Sequence, residues 1–236
     1  MKVIAHRGEH REHPENTLPA YRAAIELGCD YMEVDVRTTA DGALAAIHND
    51  TLDGRTNGRG RVEDMTLAQI RKLDAGVKFH ERFRGTRVPA FDEVLALARN
   101  RIEVYVDAKR VTAPDLVTAL RRHQMERHSV VYGALPLLGA IAKLAPEIRI
   151  MPEAVSEAVL RESLAKLRPR VVAFDARDFR DEVIRIARAA GAGIFVDRLG
   201  SDDNEGSWKD AIRRGATGIQ TDRPAGLLAF LRRGLP

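Results

Sequence analysis

Glu33 and Asp35 sit two residues apart in the run Met32-Glu-Val-Asp-Val36, whose apolar members read as a buried strand. Strand periodicity points both carboxylates to the same side. Two like charges on one inward face raise each other's pKa, and charged residues are rarely buried without a partner. A hard divalent ion such as Mg²⁺ or Ca²⁺ meets that need, because both prefer oxygen ligands. Ion pairs with the chain's many arginines meet it equally well, and the two acids alone do not decide between them. Other reactive residue types flank this run: His6-Arg7 before it, His48, Asp107 and Lys109 after it. Two histidines can divide the roles of general base and general acid near neutrality. Arg7 and Lys109 add positive charge suited to a phosphate. Each has a plainer reading too, since a lone histidine is more often structural than catalytic and Lys109 can simply pair with Asp107.

These residues must be brought together by the elements that carry them. Short apolar runs recur at Val3-Ala5, Tyr31-Val36, Val104-Val106, Val130-Tyr132, Ile148-Met151, Val171-Phe174, Gly193-Val196 and Gly218-Gln220. Segments of helical period lie between them, among them Thr17-Leu27, Phe91-Ala98, Ala113-His123, Val155-Leu167, Arg180-Ala190, Asn204-Arg214 and Pro224-Arg233. Alternation of this kind implies a parallel sheet, and eight repeats in 236 residues predict a single (β/α)8 TIM barrel. A doubly wound open sheet is the competing architecture, but no glycine-rich dinucleotide or Walker loop is present. The polar stretch from 49 to 89, with a short helical piece at Thr66-Leu73, breaks the rhythm and reads as an excursion from the barrel.

In a barrel, chemistry belongs at the C-terminal ends of the strands. His6-Arg7 ends the first strand, Glu33 and Asp35 the second, Asp107 and Lys109 follow the third, and Asp222 closes the eighth. His48 ends the run Leu44-Ala-Ala-Ile-His48, expected as an extra strand beside the second.

Composition narrows the function class. The net charge is only +4, aromatic residues are 5%, and basic and acidic residues are interspersed, so no nucleic-acid surface is indicated. The single cysteine, Cys29, excludes an internal disulfide and reads as packing. No apolar run approaches bilayer length and no leader is apparent, so a cytoplasmic location without stable membrane insertion is expected. The oligomeric state is not readable from the sequence.

An ordered set of motifs carries a resemblance. Ala5-His-Arg-Gly8 is followed by Pro14-Glu-Asn-Thr17, Glu33-x-Asp35, Thr39-x-Asp-Gly42, His48-Asn-Asp-Thr-Leu-Asp53, Thr56-Asn-Gly58 and Gly218-Ile-Gln-Thr-Asp-Arg-Pro224. The chain thereby resembles the glycerophosphodiester phosphodiesterases over nearly its whole length, in the correct order. The resemblance implies metal-dependent hydrolysis of glycerophosphodiesters to glycerol 3-phosphate and an alcohol. His6 and His48 would be the acid/base pair, Glu33, Asp35 and Asp107 the metal ligands, Arg7 and Lys109 the phosphate contacts, and 49–89 the family's small insertion over the site.

Two departures stand out. The family's Glu-x-Lys is here Asp107-Ala-Lys109, one methylene shorter in a ligand. Where many relatives have Trp-Thr-Val-Asn, this chain has Ile194-Phe-Val-Asp197, with Phe195 expected on the barrel's outside and Asp197 toward the rim. Glu153 is a further rim acid, with interaction with the following helix's dipole as its plainer reading. Thr17 could cap the first helix, and Glu15 or Asn16 could approach the metal. The rival activities are a lysophospholipase D, a phosphodiesterase for another phosphorylated alcohol, and a catalytically weak barrel that binds phosphorylated metabolites.

Overall fold

The computed structural model describes residues 1–234. Its strands are β1 (Lys2–Ala5), β2 (Tyr31–Thr38), β3 (Leu44–Ala46), β4 (Glu103–Arg110), β5 (Ser129–Tyr132), β6 (Arg149–Met151), β7 (Val171–Phe174), β8 (Gly193–Arg198) and β9 (Gly218–Thr221). Its helices are α1 (Leu18–Leu27), α2 (Leu67–Ile70), α3 (Phe91–Ala98), α4 (Ala113–Arg122), α5 (Leu135–Leu144), α6 (Glu157–Leu167), α7 (Asp181–Ala189), α8 (Glu205–Arg213) and α9 (Pro224–Arg232). Eight parallel strands run in the order β6-β5-β4-β2-β1-β9-β8-β7. The seam between β6 and β7 is joined by the Ala154 N–H to the Ala173 carbonyl (2.8 Å) and the Ala173 N–H to the Pro152 carbonyl (3.0 Å). The result is a nearly closed (β/α)8 barrel, as the alternation of runs predicts.

Period two along each strand sorts side chains into two cores. Outward residues such as Val34, Val106, Val172 and Val196 pack under the helices, against Phe91, Leu116, Leu138 and Trp208. Inward residues fill the barrel's lower layer: Ile4, Tyr31, Tyr105, Val130, Met151, Val171, Ala173 and Phe195. Phe195 is therefore inside the barrel, its ring 5.5 Å from that of Tyr31, and not on the outside as expected. The reason is geometric: Phe195 and Asp197 are two apart on β8, so a rim-facing Asp197 requires an inward Phe195.

The helix α5 has no counterpart among the segments of helical period named above. Its sequence, LPLLGAIAKL, contains a single charged residue and carries both Pro136 and Gly139, so it shows little polar face. Pro136 lies in the first turn, where its missing N–H has no partner to lose.

Chain 49–89 builds a small body of its own. β3 pairs antiparallel with β2, Val36 facing Ala46, and Ala45, Ile47, Leu52, Val62, Ile70 and Val88 form a separate apolar cluster beneath the excursion. Its only α-helical turn, α2, is short but well capped: Thr66 accepts from the Gln69 N–H (3.3 Å), and the Gln69 side chain accepts from the Thr66 N–H (2.8 Å).

Candidate active site

The loop after β1 is shaped by three left-handed residues, Arg7 (φ 54°), Gly8 (φ 81°) and Asn16 (φ 54°). Only glycine suits the middle one, because a Cβ there would lie 2.8 Å from the Ala20 backbone carbon. The turn aims the Arg7 N–H at Glu33 Oε2 (2.7 Å), and the Asn16 N–H closes onto the Arg7 carbonyl (3.0 Å). Non-glycine residues held in this region cost of order 1 kcal/mol each. Here the conformation puts backbone and side-chain donors onto buried acids.

Glu33 and Asp35, 2% and 1% exposed, lie side by side at the top of β2, and Asp107 reaches them from β4 in direct register with Asp35. One oxygen from each can come within 4.8 Å of the others. Burial, then Asp35 and Asp107, push the Glu33 carboxyl well above the usual carboxylate range. Burial also raises Asp107, against the pull of Lys109. Lys109 Nζ lies 2.6 Å from Asp107 and 3.3 Å from Asp35, and Arg7 Nε lies 3.4 Å from Asp35. Burial alone would lower the Lys109 pKa, but Asp107 and Asp35 raise it by more, so the ammonium is firmly charged. Two cations face three acids, and Glu33 must take up either a proton or another positive charge. Three hard oxygen donors in that state suit a hard divalent ion.

Asn16 is the orienting residue behind Asp35. Its amide donates to Asp35 Oδ2 (2.7 Å), while its Oδ1 accepts from Tyr21 Oη (2.8 Å) and the Asp35 N–H (3.2 Å). Glu15 takes another place, accepting from Arg7 (3.1 Å) and lying 3.0 Å from Arg55 Nε of the excursion. Thr17 stands at the N-cap of α1, but its hydroxyl donates to the Pro14 carbonyl (2.5 Å) and makes no cap hydrogen bond.

His6 Nδ1 lies 2.7 Å from Asp222 Oδ1 at the end of β9. That bond puts the Nδ1 proton on the carboxylate side and leaves Nε2 for other chemistry. Burial lowers the His6 pKa, partly countered by Asp222. Burial would raise Asp222 in turn, but the hydrogen bonds from His6 and from the Gly200 N–H (3.0 Å) bring it down to about 2. His10, which nothing but its spacing from His6 distinguishes in the sequence, also approaches Asp222 (3.4 Å). Its Nδ1 is 2.6 Å from the His6 carbonyl.

The Ile47 N–H donates to the Asp35 carbonyl (2.9 Å), so the extension of β3 delivers His48 to the same rim. His48 Nδ1 meets Asn49 Oδ1 at 2.8 Å, which again leaves Nε2 available.

A cavity of about 290 Å³ opens here. Its wall includes His6, Arg7, Glu33, Asp35, Asp107 and Lys109, and also both rim acids, Glu153 and Asp197. His48 is not part of that wall. Glu153 is not in a helix turn: it bridges to Ala173 four residues before α6, so the helix-dipole reading does not apply to it. Asp175, Arg177, Tyr105, Tyr132 and Gln220 also line it without having been singled out. Strand period would have found Gln220, which lies two residues before Asp222 on the inward face.

A barrel whose strand ends carry a buried carboxylate cluster, paired cations and an imidazole locked by an acid is the architecture of a hydrolytic barrel enzyme. Residues 6–226 match the glycerophosphoryl diester phosphodiesterase family. The chain belongs to that family and is a phosphodiester hydrolase. It is 33% identical over 98% of its length to a glycerophosphodiester phosphodiesterase of Caldanaerobacter subterraneus subsp. tengcongensis, covering 98% of that protein. The crystal structure of a glycerophosphodiester phosphodiesterase from Agrobacterium tumefaciens aligns with a TM-score of 0.86 and 32% identity, over 97% of this chain and 99% of the other. An Oleispira antarctica phosphodiesterase, crystallised with the product sn-glycerol-3-phosphate, shares the fold with a TM-score of 0.90 at 23% identity, over 98% and 97% of the two chains.

Proposed function

We propose that this chain hydrolyses glycerophosphodiesters to glycerol 3-phosphate and an alcohol, with His6 and His48 as the acid/base pair. The observation that carries the reading is the meeting of an Asp222-locked His6, Arg7, Lys109 and the three carboxylates in one cavity. Glu33, Asp35 and Asp107 would hold Mg²⁺ or Ca²⁺, which supplies positive charge to the phosphate oxygens when bound.

Arg7 and Lys109 contact the remaining phosphate charge. Each is tethered by acids, so their positions are set before substrate arrives. One histidine takes the proton from the glycerol 2-hydroxyl as its oxygen attacks phosphorus. The other gives its proton to the departing alcohol as the bond from phosphorus to that alcohol breaks. A cyclic phosphate results, and water opens it with the two histidines in exchanged roles. Asp222 positions His6 in this scheme, and Asn16 positions Asp35. The excursion 49–89, tied to the first loop through Arg55 and Glu15, would cover the side from which the alcohol leaves.

The internal route is tested with glycerophosphocholine and its analogue lacking the 2-hydroxyl. Turnover of the first and none of the second is expected. Equal turnover of both would put water directly on phosphorus and remove the cyclic step.

A further inference from the structure

Gln220 is 5% exposed, lines the cavity, and its side-chain Oε1 has no hydrogen-bond partner. A buried acceptor without a partner is costly, and such atoms are few in folded proteins. Gln220 belongs to the cavity's inner wall. Gln220 and Asp197 are direct register partners on β9 and β8, both pointing inward. In the ring of eight strands β8 stands four places from β4, directly across the barrel from Asp107 and Lys109. Beneath Asp197 lies the apolar layer headed by Phe195.

The chemistry of this wall excludes several occupants. A carboxylate beside an amide oxygen repels phosphate, which the proposed function assigns to Arg7 and Lys109. The two groups of side chains close enough to share a metal ion among the described residues are Glu33, Asp35 and Asp107, and His6, His10 and Asp222; Asp197 is in neither. A hydroxyl fits, since it brings a donor to Oε1 and can also donate to or accept from the acid. The enclosed floor suits the part of the substrate common to all diesters of this class, whereas the variable alcohol must depart through the mouth.

We propose that Asp197 and Gln220 form a subsite for the terminal hydroxyl of the glycerol moiety, so that a free hydroxyl on that carbon is required for efficient turnover. The inference rests on the glycerophosphodiester reading above. It makes both residues determinants of specificity, and it sets diesters acylated at that position outside the substrate class.

The test compares glycerophosphocholine with an analogue that lacks only the terminal hydroxyl and keeps the 2-hydroxyl, using wild type, Gln220→Met and Asp197→Asn. Wild type should prefer the natural diester by at least about tenfold in kcat/KM, because a site built to bond a hydroxyl rejects the analogue without it. Both variants, near-isosteric and checked for folding by thermal unfolding, should narrow that ratio to within about threefold. A wild type indifferent to the hydroxyl, or a preference that survives both substitutions, overturns the proposal. If neither diester is turned over, the reading of the preceding section has failed instead. Calorimetric titration with sn-glycerol 3-phosphate and propane-1,2-diol 1-phosphate then decides the subsite: tighter binding of the first, lost in both variants, supports it, and equal binding overturns it.

Discussion

At the scale of the residue, two acids behave in opposite ways because their neighbours differ. Asp222 is brought down to about 2: burial opposes ionisation, but a histidine and a backbone N–H outweigh it. Replacing it by Asn leaves His6 buried without its countercharge. The His6 pKa should fall further, the limb of the kcat/KM profile that His6 governs should move to lower pH, and kcat should drop on the order of 10²-fold. A profile with both limbs in place would separate Asp222 from His6. Asp197 is instead pushed up to about 7 by burial, then by Asp175, Asp107 and Glu153. An acid with a raised folded pKa is protonated in the native state where the unfolded chain has already lost its proton. Its contribution is therefore fully present below pH 3.8 and is lost as pH rises toward 7. Asp197→Asn should stabilise the protein by roughly 2–4 kcal/mol at pH 8 and by almost nothing at pH 4, read from denaturant unfolding at the two pH values. Equal effects at both would mean that Asp197 titrates normally.

At the scale of the element, the strands were the most legible feature, and for a simple reason. Six of the site residues lie two or four positions beyond an inward apolar residue on the same strand: Ile4 and His6, Tyr31 with Glu33 and Asp35, Tyr105 with Asp107 and Lys109, Phe195 and Asp197. A period of two could be read from sequence, and at β8 it already ties an inward Phe195 to a rim-facing Asp197, so the outward expectation for Phe195 conflicts with that period. The helix α5 was illegible because its composition is apolar nearly all round. The excursion was visible as an interruption, but its private core was not, since Leu52, Val62, Ile70 and Val88 follow neither regular period. That core predicts a separable stability. Ile70 is fully buried there, so Ile70→Ala should cost about 2–4 kcal/mol. The loss should appear as faster proteolysis and amide exchange within 49–89, with β1 to β9 of the barrel still protected. Uniform loss of protection would show that excursion and barrel unfold as one unit.

At the scale of the whole molecule, closure of the barrel is what turns scattered residues into a site. His6 and Asp222 are 216 positions apart in sequence and 2.7 Å apart in space because β1 and β9 are neighbours. Their ordered motifs made the convergence legible. Side-chain partnerships such as Asn16 with Asp35, or His10 with Asp222, depend on loop geometry and were not. No helix among the described residues is long and apolar enough to cross a membrane. The charge balance at the rim also has a global consequence. Mg²⁺ or Ca²⁺ at millimolar concentration should raise the unfolding temperature, because a ligand that binds only the folded state stabilises it. Glu33→Gln should abolish most of that rise, and a rise that persists would place the ion elsewhere.

The most direct test of the account is release of glycerol 3-phosphate from glycerophosphocholine and glycerophosphoethanolamine, with and without chelator, in wild type, His6→Ala and Glu33→Ala. Release by wild type that chelation abolishes and both substitutions eliminate is the predicted result. Release that survives chelation and the loss of Glu33, or the absence of release with any divalent ion, would contradict it.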